Sequence, residues 1–182
     1  MELETYVAFL RGINVSGQKK VPMASLKKLC EAIGFTQVST YIQSGNVIFN
    51  SDADSQARSE NLLSVAIAQA FGFQVPVLVR SFSEIERVLL DNPYKKRSEV
   101  ETNALYFVFL KSAAEATLLS NLKQEVFTNE VFEIGDRCLY LKCNAGYGKA
   151  KLNNNYIERR LKVDATTRNY KTLNKVFKMA LK

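Results

Sequence analysis

The sequence predicts an α+β fold: a ferredoxin-like βαββαβ plait over about residues 1–81, followed by a second, smaller α/β domain over about residues 82–182 with basic C-terminal helices. Three observations carry this reading. Strand and helix patterns alternate in the order β-α-β-β-α-β within about the first 80 residues. A similar order then begins again. The length, 182 residues, is enough for two small domains that each bury a core.

Thr5 to Leu10, TYVAFL, is β-branched and aromatic and reads as the first strand. The glycine-containing RGINVSGQKKV follows as a loop. From Met23 to Ile33, the apolar residues Leu26, Leu29, Cys30 and Ile33 recur at helical spacing, and Gly34 stops the helix. Val38 to Gln43 and Val47 to Asn50 read as two strands of a hairpin, and SDADSQ as a polar linker. Arg58 to Phe71 reads as a second helix with Leu62, Val65, Ala66 and Gln69 in register, stopped by Gly72. QVPVLVR, 74–80, is a fourth strand whose Pro76 suits an edge or an irregular start.

The second half opens with a helix, Phe82 to Leu90, capped by Ser83 and stopped by DNPY. ALYFVFL, 104–110, is a strongly apolar strand, and residues 113–123 read as helix. Val131 to Ile134 and Cys138 to Lys142 form a hairpin around Gly135-Asp136. NAGYGKAKLNNNYIERRL turns into a helix, and DATTRNYKTLNKVFKMALK reads as another that ends the chain. The halves echo one another in pattern but not as a residue-level repeat.

Composition excludes several functions. There is no histidine, so neither a Ser-His-Asp nor a Cys-His arrangement is available. Cys30, Cys138 and Cys143 lack metal-ligand spacing and read as reduced thiols; neither a metal nor a cofactor is expected. No apolar run approaches the roughly 20 residues of a membrane helix, and the N-terminus has no signal-peptide pattern. A cytoplasmic protein without a membrane partner is the expectation; the sequence leaves the oligomeric state open. The net charge of +7 is concentrated at one end: residues 142–182 hold eleven Lys and Arg against Glu158 and Asp164. Such a segment favours an anionic partner, with simple solubility as the plain alternative.

Four stretches carry the candidate chemistry. In TYIQSGNVIF, 40–49, Gly45-Asn46 suits a two-residue type II′ turn. Ile42 would then face Phe49 and Gln43 would face Ile48. Val38, Thr40, Ile42, Val47 and Phe49 would turn toward the helices. The Gln43 amide has no turn-forming duty on this reading. RGINVSGQKK, 11–20, resembles a phosphate loop in its two glycines but fails the pattern, since Gln18 stands where lysine belongs. Arg11 at the strand end is suited to clasp a carboxylate or phosphate. NAGYGKAK places Lys149 and Lys151 near a helix start, where the helix dipole favours anions. TTRNYK does the same with Arg168 and Lys171, with Thr166 or Thr167 as cap. In the final helix Leu173, Val176, Phe177, Ala180 and Leu181 form an apolar stripe, with lysines on the other side.

YVAFLRGINVSGQKKVPMASLKKLCEAIGF, TYIQSGNVIF and TTRNYKTLNKV, in this order and spacing, resemble the domain of unknown function 1697 family over essentially the whole chain. The resemblance implies a ferredoxin-like first domain and a second α/β domain, and implies no function. The chain departs from the family's Gly-Gly at Ser16-Gly17, and from its usual Trp at Tyr170.

The leading expectation is a binding protein for a phosphate-bearing or other anionic ligand, nucleic acid or a nucleotide. Its contacts would be Arg11, Asn14, Lys20, Gln43, Ser44, Asn46, Lys149, Arg168, Asn169 and Lys171. The loops 11–20, 43–46 and 166–171 are expected to meet in one site. The rival readings are an enzyme acting on a small anionic substrate between the two domains, with Lys or Tyr as acid/base, and a protein-interaction module.

Overall fold

The computed structural model describes residues 3–52, 56–94 and 104–181. The chain divides into two units: Met1–Glu86 together with Lys175–Lys182, and Arg87–Asn174. No described helix is long and apolar enough to cross a membrane.

The first unit contains β1 (Glu4–Leu10), α1 (Met23–Ala32), β2 (Thr36–Tyr41), β3 (Asn46–Ser51), α2 (Gln56–Phe71) and β4 (Val77–Ser81). The sheet is antiparallel with order β2-β3-β1-β4, the ferredoxin-like arrangement. Strand alternation divides the side chains between two faces. Tyr6, Ala8 and Leu10 of β1, Val47 and Phe49 of β3, and Val77 and Val79 of β4 join Leu26 and Cys30 of α1 and Leu63 and Ile67 of α2 in one core. Phe35 stacks on Phe49 at 4.0 Å between ring centroids. Cys30 is buried and unbonded, as its place on the α1 stripe predicts.

The α2 stripe differs from the expectation. Leu62 and Val65 are exposed; Ser59, Leu63, Ala66 and Ile67 are buried. Both sets have helical spacing, and it is Leu63 and Ile67 that join the sheet's side chains in the core.

The second unit repeats the topology. After α3 (Phe82–Leu90) come β5 (Leu105–Leu110), α4 (Ala116–Lys123), β6 (Glu130–Gly135), β7 (Cys138–Cys143), α5 (Asn154–Leu161) and β8 (Ala165–Asn169). The order β6-β7-β5-β8 reproduces the first sheet strand for strand. Val108, Leu110, Leu139, Leu141, Leu122, Ile157 and Leu161 form its core. The chain is thus an α+β protein with two antiparallel four-stranded sheets.

Strand β8 corrects the sequence reading, which placed 166–171 at the head of a helix. Ala165–Asn169 is paired to β5, Phe107 opposite Arg168, and α6 (Tyr170–Ala180) follows without a loop. Asn169, not Thr166 or Thr167, caps that helix: its Oδ1 accepts from the Thr172 N–H at 2.8 Å. The same device ends the first plait. Ser81, rather than Ser83, caps α3; its Oγ accepts from the Glu84 N–H at 3.3 Å, while the Glu84 carboxylate accepts from the Ser81 N–H at 2.9 Å.

Each plait also closes one sheet edge with a glutamate. Glu60 of α2 accepts from the Val79 N–H, and Glu158 of α5 accepts from the Ala165 N–H, both at 2.8 Å. An edge amide engaged by a carboxylate offers no template to another strand.

Candidate functional site

The hairpin β2–β3 reverses over Ile42–Gly45, with Tyr41 opposite Asn46 and Thr40 opposite Val47. The two-residue turn at Gly45-Asn46, and the pairing of Ile42 with Phe49 and Gln43 with Ile48, are therefore incorrect. Two local features set the longer turn. Asn46 is fully buried, and its Nδ2 donates to the Tyr41 carbonyl at 2.9 Å and the Ser44 hydroxyl at 3.1 Å. Gly45, at φ +76°, lies so close to β1 that a Cβ there would sit 2.7 Å from both Leu10 Cβ and Ile13 Cδ1. Val38, Val47 and Phe49 do face the helices, whereas Ile42 is left exposed at φ +49°. That φ costs a β-branched residue about 1–3 kcal/mol and persists because the bonds around it hold the turn.

The loop from Arg11 to Pro22 packs against this turn. The Leu10 N–H donates to the Gly45 carbonyl at 2.8 Å, and the Arg11 N–H to the Pro76 carbonyl at 3.0 Å. One amide joins the pieces: Asn14 Nδ2 donates to the Gln43 carbonyl at 2.9 Å and the Val21 carbonyl at 3.0 Å, while its Oδ1 accepts from the Val21 N–H at 2.8 Å. Gly12, Asn14, Ser16, Gly17 and Lys19 all have positive φ, so the loop is tightly coiled rather than extended. Lys19 Nζ donates to the Gln74 carbonyl at 2.8 Å. Pro22 begins α1 without a side-chain cap, and no acidic residue stands in the helix's first turn. Its leading N–H groups therefore have no side-chain cap.

Of the residues singled out from sequence, Arg11, Asn14, Lys20, Gln43, Ser44 and Asn46 gather at this corner. Asn14 and Asn46 hold the loops together. Gln43, Ser44 and Lys20 are exposed and Arg11 is half-buried. The other four belong to the second unit. Lys149 is exposed on the short 3-10 turn Tyr147–Lys149, and α5 starts only at Asn154 with Asn153 as its cap, so neither Lys149 nor Lys151 stands at a helix start. Lys171 is exposed in the first turn of α6. Asn169 is that helix's cap. Arg168 is buried in β8, where its Nη1 donates to the Thr166 hydroxyl at 3.1 Å and the Thr167 carbonyl at 2.9 Å. Burial pulls its pKa down to about 10, partly opposed by nearby Tyr147.

Arg80 was not singled out. It occupies the position in β4 that Arg168 occupies in β8, is also buried, and its Nη1 donates to the preceding carbonyl, of Val79, at 2.8 Å. VLVRSF and ATTRNY are thus the same device: a buried arginine, a capping Ser or Asn, and an aromatic residue that opens the helix. The signal was an arginine one position before a cap at the end of each plait. Among the described residues, no cluster of Cys, Asp and Glu could hold a metal ion.

Two ferredoxin-like plaits in tandem, each ending in a buried arginine and a capped helix, define the class of protein. The chain belongs to the family described as Protein of unknown function (DUF1697), whose model matches residues 3–140. It is similar to the conserved bacterial protein SP0830 from Streptococcus pneumoniae, with 25% identity and a TM-score of 0.79 over 100% of both chains. No curated protein matches the sequence.

Proposed function

We propose that the corner formed by the β1–α1 loop and the β2–β3 turn binds a phosphate-bearing ligand, a nucleotide or nucleic acid. The observation that supports this most is the uncapped start of α1, set in a region without carboxylates. No Asp or Glu occurs between Glu4 and Glu31, or between Glu31 and Asp52, while Arg11, Lys19, Lys20, Lys27 and Lys28 fall in the first interval. A helix start that has neither a cap nor an acid leaves N–H donors for an external anion. Arg11 and Lys20 would supply charge, and Gln43 and Ser44 uncharged hydrogen bonds, with Asn14 and Asn46 as braces.

The test is a titration with inorganic phosphate, a nucleoside diphosphate and a short single-stranded oligonucleotide at low salt. Arg11→Ala and Lys20→Ala should each weaken binding about tenfold or more, since a charge-assisted hydrogen bond contributes about 1.5–3 kcal/mol. A steep decline with salt identifies an oligonucleotide ligand, because each neutralised phosphate releases counterions. Binding unchanged in both variants, or absent for all three probes, rejects the reading.

A further inference from the structure

The first sheet carries a second feature, on the face turned away from α1 and α2. A cavity of about 420 Å³ is lined by the polar Thr5, Gln37, Ser39 and Asn50 and by the apolar Ile48 and Met179. The volume falls in the range of small-molecule sites. It is distinct from the anion corner: β1 carries Thr5 at the cavity and Leu10 at the corner, about 17 Å apart at about 3.4 Å per residue.

Among the described residues its lining contains no charged side chain, yet its hydrogen-bonding capacity is largely uncommitted. Thr5 donates to Asn50 Oδ1 at 3.0 Å, which fixes the Asn50 amide in the cavity wall. Among the described residues, the Asn50 Nδ2, the Gln37 amide and the Ser39 hydroxyl have no partner. Gln37 is held there by a β-bulge: Thr36 pairs with Asn50 and Ser39 with Ile48, so two residues of β2 oppose Phe49 alone. The bulge forces Gln37 to φ +49°, a conformation that glycine would adopt without strain.

We propose that this cavity binds a small neutral molecule bearing an amide-type edge, an N–H donor beside a C=O acceptor. A charged ligand would find no counter-charge among the described lining side chains. Side-chain carboxamides present a donor and an acceptor together, which is the complement of such an edge. Ile48 and the adaptable thioether of Met179 supply the apolar contact. Carbonyl-bearing nucleobases, such as uracil and hypoxanthine, and cyclic amides share this chemistry.

The experiment is ¹H–¹⁵N NMR on the full chain, titrated separately with uridine, inosine, the cyclic dipeptide of glycine, and inorganic phosphate. Saturable shifts centred on Gln37, Ser39 and Asn50 are expected, with a Kd on the order of 1 mM. Response to the nucleosides alone assigns a nucleobase; response to the cyclic dipeptide assigns the broader amide class. Asn50→Asp keeps the acceptor for Thr5 and replaces the donor with a charge. Gln37→Gly suits the bulge and removes the amide. Each should weaken binding about tenfold while the melting temperature holds or, for Gln37→Gly, rises. The proposal is overturned if no neutral probe shifts these residues by about 10 mM, if phosphate shifts them equally, or if the folded variants bind as the parent does. Loss of phosphate binding at the corner through Arg11→Ala leaves these outcomes unaffected.

Discussion

Gly45→Ala tests how the hairpin turn is held against β1, and Gly12→Ala is its control. Both glycines have nearly the same backbone strain, at φ +76° and φ +71°. They differ in surroundings: a Cβ at position 45 meets Leu10 Cβ and Ile13 Cδ1 at 2.7 Å, whereas nothing lies within 4 Å at position 12. A left-handed conformation costs an alanine about 1–2 kcal/mol, reduced by about 0.4–1 kcal/mol through the less flexible unfolded chain. Gly12→Ala should therefore destabilise by about 0.5–1 kcal/mol. Forced overpacking adds about 1–3 kcal/mol, so Gly45→Ala should cost about 2–4 kcal/mol. Ile13 Cδ1 ends a flexible side chain and can move; Leu10 Cβ is tied to the strand backbone and cannot. Urea unfolding followed by circular dichroism measures the difference, and Ile13→Val, which deletes one of the two obstructing atoms, should shrink it. If the two alanine variants agree within about 0.5 kcal/mol, the close approach does not constrain this turn.

Three further outcomes are expected. Ser59 is buried in α2, and its hydroxyl has no hydrogen-bond partner among the described residues. Ser59→Ala should stabilise the protein by about 1 kcal/mol in the same urea assay, because it removes a desolvated, unpaired group. Burial raises the Cys30 and Cys143 thiols from 9.0 to about 12. At pH 8 a thiol reagent should therefore label either one in the folded protein about a thousandfold more slowly than in the unfolded chain. The folded state keeps both protons between pH 9 and about 12 while the unfolded state loses them. The stability this provides is full below pH 9 and declines as pH rises through that window, which urea midpoints at pH 8, 9 and 10 will show.

The first plait was legible because its strands are short β-branched and aromatic runs and its helices end at Gly34 and Gly72. The α2 face was misjudged because Leu62 and Val65 are as apolar as Leu63 and Ile67, and periodicity cannot say which stripe the sheet will cover. Strand β8 was hidden because ATTRN has no apolar alternation: it pairs at a sheet edge through β-branched threonines and runs straight into α6. The hairpin register was misread because Asn46 was assigned to the turn, when its buried amide lies in the strand and closes the turn from below. At the corner, the charges of Arg11 and Lys20 were visible in sequence. The bracing role of Asn14 was not, since it depends on Gln43, 29 residues away. The echo between the halves was legible as a pattern but not as a residue-level repeat, because only an arginine, a capping side chain and a ring are shared between VLVRSF and ATTRNY.

The division of the chain has a consequence for how the protein is made. The first unit includes the segment from Lys175 onward, where Phe177 stacks on Phe82 with centroids 5.0 Å apart and Met179 borders the sheet cavity. A ribosome must translate all of Arg87–Asn174 before that segment exists, roughly 5–20 s after Glu86 at ordinary rates. For that interval the nascent first plait has its own core but lacks the ring that pairs with Phe82. The plait made first is thus finished last, and early termination anywhere in the second half leaves the first half incomplete as well.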